Sequence, residues 1–181
     1  MELQYQRANE TPAHYALKQA AVAWLRTNKK CWPMGQEIPL GMNIVDALGV
    51  KVDDRGMPVY SDTERSMRLM VIAVQVKVSR QDARRRWRVP ANMLYMMTPP
   101  GLLDPTELPP DVGLLEADPE RVRVRCDSFG MPIAVDGIRI VRRARVVREP
   151  EGAEHPAIVL LGMARSFASR MLRGLPLAEW G

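Results

Sequence analysis

The stretch that decides the fold is Val74-Gln75-Val76-Lys77-Val78-Ser79-Arg80-Gln81-Asp82. It completes an apolar run that starts at Leu69, and a run of this kind predicts a central strand buried on both faces. We expect this strand to end at about Val78. Because residues two apart on a strand point to the same face, Gln75 and Lys77 are expected to project together.

Two carboxylates precede this strand in separate strand-like runs. Glu37 lies in residues 35–40, and Asp46 lies in residues 43–52. Phosphodiester cleavage needs a cation that neutralises the phosphate and activates water, and magnesium prefers carboxylate oxygens. A lysine beside the metal, here Lys77, can stabilise the developing charge. The alternative interpretation is that all three are solvated positions at strand edges and surfaces.

In this order the residues resemble the MmcB-like DNA repair family, a branch of the PD-(D/E)XK nuclease superfamily. The similarity runs from His14 to about Arg125, and it is most specific in residues 108–118, followed by the Lys77 motif. The resemblance implies a three-layer, restriction-endonuclease-like α/β core with a central mixed sheet flanked by helices. It also implies metal-dependent DNA cleavage as the ancestral activity.

The resemblance further implies a role for each candidate residue. Asp46 and residue 75 would bind Mg²⁺ or Mn²⁺, Lys77 would act on water and phosphate, and Glu37 would support the metal. The family has an acidic residue where this chain has Gln75. An amide oxygen can ligate magnesium but brings no charge, so metal affinity should fall. Three explanations stay open: a nuclease that tolerates glutamine, a degenerate binding domain, or an engineered substitution.

Further candidates for DNA contact follow the Lys77 motif. Ser79 and Asp82 have the spacing of a capping box, which predicts a helix that runs to about residue 88. Arginines can bind phosphates, although a solvated helix face has the same composition. Thr11 and Pro12 predict the start of a first helix that runs to about Asn28. Lys18, on this helix, shares a helix face with His14 one turn away. The predicted DNA-binding residues are Arg80, Arg84, Arg85, Arg86, Arg88 and Lys18.

Composition narrows the class of partner. The 181 residues carry a formal net charge of +5, which favours an anionic partner such as DNA. Cys31 and Cys126 lack the spacing of a zinc site. No stretch has the length and apolarity of a signal peptide or a membrane span, so we expect a cytoplasmic protein with no membrane partner.

The predicted organisation is one domain with an appendage. Residues 1–126 form the nuclease-like domain, and residues 127–181 form a strand and helix extension packed on that core. We expect the short strands in residues 113–117 and 121–126 to pair as a hairpin. The extension is a candidate surface for a homodimer or a protein partner.

The leading hypothesis is a DNA-acting protein of PD-(D/E)XK fold in DNA repair or a mobile element. As an enzyme it would be a magnesium-dependent endo- or exodeoxyribonuclease whose metal site is weakened by Gln75. The alternative is a catalytically inactive DNA-binding or protein-interaction module of the same fold. A third hypothesis is a structural protein whose basic tail docks to a partner.

Overall fold

The first helix sets the frame for the rest of the chain. The computed structural model describes residues 10–40, 43–52, 69–83, 89–147 and 159–164. Helix α1 (Pro12–Thr27) starts after Thr11, whose hydroxyl accepts a hydrogen bond from the N–H of His14 at 3.2 Å. Proline suits the first helical turn because its missing N–H would be unpaired there. Asn28 ends the helix. The predicted start and end of this helix are confirmed.

The chain continues as a six-stranded mixed sheet and a separate two-stranded hairpin. The remaining elements are, in chain order, β1 (Met34–Leu40), β2 (Asn43–Val52), β3 (Leu69–Val76), α2 (Arg80–Ala83), β4 (Met93–Thr98), a 3₁₀ turn (Pro105–Glu107), β5 (Gly113–Ala117), β6 (Arg123–Cys126), β7 (Pro132–Asp136) and β8 (Ile138–Arg142). The sheet order is β1-β2-β3-β4-β5-β8, and β6 pairs with β7. Strand β3 runs antiparallel to β2 and parallel to β4.

Hydrophobic residues cover both faces of the sheet. On one face α1 buries Leu17, Trp24 and Leu25, and the Trp24 ring meets Tyr95 of β4 edge to face at 4.8 Å between centroids. On the other face the core includes Ala83 of α2 and Val159 of the helical residues 159–164. The protein is therefore a mixed α/β structure with a central sheet and helices, which is compatible with the predicted three layers. No helix in the described ranges is long and apolar enough to cross a membrane.

Strand β8 belongs to the predicted C-terminal extension, and it forms one edge of the main sheet. Arg142 donates hydrogen bonds to the carbonyl oxygens of Pro105, Pro109 and Val112, which ties β8 to the loop before β5. Two of these N–O distances are 2.6 Å and the third is 2.9 Å. Arg142 is therefore a structural residue.

A second arginine of the same strand has an internal partner. Arg139 pairs with Glu116 of β5, which is 4% exposed. The other carboxylate oxygen of Glu116 accepts the N–H of Gly101 at 3.0 Å. Burial by itself raises the pKa of Glu116, but Arg139 and the Gly101 N–H outweigh it and leave that pKa below its usual value.

The predicted hairpin between β5 and residues 121–126 is wrong. Strand β5 pairs with β4 and β8, whereas β6 pairs with β7. Between β5 and β6 the N–H of Val122 bonds to the carbonyl of Asp118 in a tight turn. The chain then reverses at Asp127 and Gly130, and Gly130 has a φ of 73° that favours glycine. The turn at Asp127 and Gly130 therefore joins two paired strands, β6 and β7, whereas the turn at Asp118 joins strands that do not pair.

Candidate functional site

An irregularity in β1 and β2 creates the candidate site. Glu37 has a φ of 51°, and it stands across from Asp46 between two paired positions of the β1–β2 ladder. Val45 and Ala47 are two apart, yet they lie in the cores on opposite faces of the sheet. Regular alternation is therefore interrupted at this point. As a result both carboxylates reach residues of α1.

Lys18 of α1 lies between two carboxylates. Its side chain is 4% exposed, and Nζ is 2.6 Å from Oε1 of Glu10 and 2.9 Å from Oε1 of Glu37. Burial by itself lowers the pKa of Lys18, but its contacts with Glu10 and Glu37 outweigh burial and leave the pKa above its usual value. The ammonium group is therefore held in its charged form.

Asp46 is linked to the same helix through His14. One carboxylate oxygen, Oδ1, is 3.7 Å from Nε2 of His14, and His14 Nδ1 is 3.4 Å from Oε1 of Glu10. The other oxygen of Asp46 accepts the N–H of Val76 at 2.9 Å. Burial raises the pKa of Asp46, although the Val76 N–H and the charges of His14, Lys18 and Lys77 oppose that rise. We call Glu10, His14, Lys18, Glu37 and Asp46 the ion-pair network.

Lys77 is the first residue after β3, which ends two residues earlier than predicted. Its Nζ is 3.1 Å from Oδ1 of Asp82, and its charge lowers the pKa of Asp46. The N–H of Asp82 donates to the Ser79 hydroxyl at 3.2 Å, which confirms Ser79 as the helix cap. The Asp82 carboxylate, however, contacts Lys77, and the sequence analysis gave Asp82 only a capping role.

Gln75 has a backbone partner. Its neighbours Val74 and Val76 lie in the core under α1, so the side chain of Gln75 belongs to the opposite face of β3. Its amide nitrogen donates to the carbonyl of Ile44 at 3.1 Å. This hydrogen bond ties Gln75 to β2, in the strand segment that also carries Asp46.

These positions do not fit a magnesium site. Glu10 and Glu37 already share the charge of Lys18, and Asp46 is a single carboxylate whose ionisation is opposed by burial. Gln75 brings no charge to the site. Within residues 10–40, 43–52, 69–83, 89–147 and 159–164, no group of three or more His, Cys, Asp or Glu is placed to hold a metal ion. Magnesium favours one or two free carboxylates with several waters.

The predicted DNA-binding residues fall into three groups. Lys18 is buried, so it offers no surface to DNA. The Arg80 side chain is 59% exposed, and it lies 3.9 Å from Glu107. The remaining predicted DNA-binding residues, Arg84, Arg85, Arg86 and Arg88, lie outside the residues that the structure describes.

Glu10 is a residue that the sequence analysis missed. It precedes α1, whereas His14 and Lys18 follow at intervals of four residues. Such spacing places side chains on one face of a helix and its first turn, and this signal would have found the network. The contact between Lys18 and Glu37 depends on the positive φ of Glu37 in β1, which sequence periodicity does not predict.

Comparison with known proteins bears on the fold alone. The chain is similar in structure to a protein of unknown function from Silicibacter pomeroyi, with a TM-score of 0.51 and 19% sequence identity. The match covers 91% of each chain. No protein-family model matches the chain. No curated protein matches it.

Proposed function

We propose that this protein is a DNA-binding domain of nuclease-like fold whose cleavage site is incomplete. The observation that carries this proposal is the state of the expected metal site. Among the residues that the structure describes, no group of three or more metal-ligating side chains includes Asp46, and Glu37 across the ladder is paired with Lys18. The Gln75 amide is bound to the Ile44 carbonyl. A phosphodiesterase that relies on magnesium needs negatively charged oxygen ligands to hold the ion.

Charge supports DNA as the partner. The formal net charge is +5, and the candidate site is followed directly by Arg80, whose side chain is 59% exposed. Phosphate contacts from arginine and lysine supply most of the affinity that is independent of DNA sequence. The four arginines at 84, 85, 86 and 88 extend this basic segment in the sequence.

The ion-pair network has a positioning role in this proposal. Lys18 connects α1 to β1, while Asp46 accepts the N–H of Val76 at the end of β3. These contacts fix the end of β3, from which Lys77 and then α2 continue. The network therefore fixes the strand end that precedes Arg80, and it carries no positive charge to the surface itself.

An active nuclease is the second candidate. The observation that favours it is the pKa of Asp46, which burial raises, next to the positive charge of Lys77. Shifted carboxylates beside a lysine are more frequent at active sites than elsewhere. Under this candidate Gln75 supplies a neutral ligand and the metal binds weakly.

Cleavage of labelled single-stranded, duplex and branched DNA separates the two candidates. We expect the natural chain to bind DNA and to leave it intact with either magnesium or manganese. Gln75→Glu places a carboxylate where the resembled family has an acidic residue, and Gln75→Leu is its control without a polar group. Metal-dependent cleavage by the natural chain that disappears in Lys77→Ala would establish the nuclease instead.

A matched pair of variants tests the DNA path. Arg80→Glu should weaken duplex binding, because it reverses an exposed charge next to the candidate site. Arg121→Glu is the control: its side chain is 87% exposed but lies on the connection to β6 and contacts Asp118. Equal losses of affinity in the two variants would show that only total charge matters.

A further inference from the structure

The opposite end of α1 carries a second basic surface. Trp32 follows this helix, and its side chain is 61% exposed. Arg26 stacks on the Trp32 ring, with Cζ 4.7 Å from the ring centroid. Lys29, Lys30 and Lys51 lie nearby. We call Arg26, Lys29, Lys30, Trp32 and Lys51 the Trp32 patch.

Two observations place Lys29 and Lys51 beside the loop that carries Cys31 and Trp32. The N–H of Trp32 donates to the carbonyl of Val50 at 2.7 Å, which sets the loop beside the residue that precedes Lys51. Burial raises the pKa of Cys31 to about 12, and the charges of Lys51 and Lys29 act in the opposite direction on that pKa. Both lysines therefore lie close to Cys31.

Within the described ranges, the positive charges of the patch have no carboxylate partners. Among the residues that the structure describes, no ion pair joins Arg26, Lys30 or Lys51 to an acidic side chain. Lys29 donates a hydrogen bond to the Tyr95 hydroxyl at 2.8 Å, so its partner is a hydroxyl group and not a carboxylate. The ion-pair network, by contrast, contains three carboxylates. The two ends of α1 are thus electrostatically different.

Local folding requirements account for only part of this surface. Cations near a helix C-terminus interact favourably with the helix dipole, which explains Arg26 and Lys29. Lys30, however, has a φ of 58° at a helix end where glycine is the usual residue. Lys51 lies on a strand, where the dipole has no role. Exposure of Trp32 does not stabilise the folded chain, because only burial would remove its apolar surface from water.

We propose that the Trp32 patch binds single-stranded DNA, with a base stacked on Trp32 and phosphates on Lys30 and Lys51. Exposed aromatic rings within a cationic surface are the combination that single strands need, because every base has a stacking face. Arg26 lies against one face of the ring and supports it. This inference rests on the proposed DNA-binding function and names unpaired bases as part of the substrate.

The patch and Arg80 belong to different ends of the molecule. Helix α1 has 16 residues, so its two ends are about 24 Å apart. The ion-pair network lies at the first end and the Trp32 patch at the second. A DNA molecule that contacts both would therefore have a duplex or branch point near α2 and an unpaired strand near Trp32.

Fluorescence anisotropy with a labelled oligothymidylate and a duplex of equal length tests the proposal. Trp32→Ala should weaken single-strand binding about tenfold, which matches the loss of one stacked base. Trp32→Phe should retain most of the affinity because it keeps a ring. Phe129→Ala is the matched control: Phe129 is 89% exposed, but it lies in the β6–β7 turn, where its N–H donates to the Asp127 carboxylate. Its affinity should equal that of the natural chain.

Salt dependence tests the lysines separately. On single strands each neutralised phosphate contributes about 0.7 to the slope of log affinity against log salt. Lys30→Gln and Lys51→Gln should each lower the slope by about this amount, and the double variant by about 1.4. Thermal unfolding of each variant shows that the loss is not one of folding.

The outcomes separate this inference from the proposed function. If DNA binds and Trp32→Ala leaves single-strand affinity unchanged, the patch is overturned and the DNA-binding proposal stands. If neither single strand nor duplex binds, both are overturned. Equal competition by polyglutamate, or tighter binding of oligouridylate, would overturn the assignment to single-stranded DNA. If Trp32→Ala lowers DNA affinity and Arg80→Glu does not, the Trp32 patch is retained and the proposed DNA contact at Arg80 is overturned.

Discussion

Asp46 combines a buried carboxylate with a specific backbone partner. The Val76 N–H and the nearby positive charges favour its ionised form, yet burial outweighs them and raises its pKa. An acid whose pKa is higher in the folded than in the unfolded state binds its proton more tightly when folded. The protonated carboxylate thus favours folding, and ionisation costs stability.

This shift predicts a pH dependence that Asp46→Asn should remove. The favourable contribution is present in full below the unfolded pKa of about 3.8, and it is lost as pH rises through the folded pKa. Asn retains an oxygen that can accept the Val76 N–H but cannot ionise. We therefore expect Asp46→Asn to be more stable than the natural chain at neutral pH.

Urea unfolding of the two proteins as a function of pH measures this difference. The stability gain of Asp46→Asn should grow between the unfolded and the folded pKa and then become constant. His14→Asn serves as a control that removes the neighbouring imidazole and leaves the carboxylate in place. A variant that is less stable than the natural chain at neutral pH would contradict the assigned direction.

At the same scale, residue types indicated the charges at these positions but not their contacts. Glu37, Asp46 and Lys77 are predicted site residues because carboxylates and lysine suit phosphodiester chemistry. Lys18 was predicted to contact DNA, but it lies buried between two carboxylates. Residue type indicates charge, whereas the partner depends on where β1 departs from regular alternation at Glu37.

At the scale of elements, local sequence patterns predicted where several helices and strands begin and end. Thr11 and Pro12 start α1 as predicted, and the bounds of β2 and β5 match their apolar runs. Pairing was less predictable, because β8 joins β5 across the intervening β6–β7 hairpin. Strand partners far apart in sequence depend on the packing of the whole domain, and no local pattern carries that information.

Arg142 predicts how strongly β8 depends on a single side chain. Its guanidinium supplies donors to the carbonyls of Pro105, Pro109 and Val112, and charged hydrogen bonds stabilise more than neutral ones. Arg142→Met removes the charged donors from these carbonyls, although Pro105 and Pro109 still accept the N–H groups of Leu108 and Val112. We expect the free energy of unfolding to fall by about 1.5 to 3 kcal/mol.

Chemical denaturation of Arg142→Met and Arg143→Met provides the comparison. Arg143 is the next residue and is exposed, so its replacement should change stability by less than about 0.5 kcal/mol. Arg142→Lys should recover only part of the loss, since one ammonium group cannot reproduce the planar fork of donors. Equal stabilities for the two methionine variants would show that the loop before β5 does not need Arg142.

For the whole molecule, the distribution of charge matters more than its sum. The ion-pair network joins three carboxylates to Lys18 and His14, and Arg139 is paired with Glu116. These charges lie in internal contacts and do not present a positive surface. The net charge of +5 is left to other positions, among them Arg80 and the Trp32 patch. A total charge computed from sequence could not distinguish these two groups.

Fold and function also separate at this scale. The mixed sheet with helices was predicted from a family resemblance, and the structure has this architecture. The fold does not decide whether DNA is cleaved, because one fold can carry sites of different chemistry. The central claim is therefore that the natural chain binds DNA without metal-dependent cleavage.

The most direct test measures DNA affinity and product formation in one sample of the natural chain, with magnesium and then with excess chelator. The proposal predicts the same affinity in both conditions, once matched for ionic strength, and intact DNA throughout. Cleavage products that form with magnesium and cease with chelator would contradict it. So would the absence of any DNA binding at low salt.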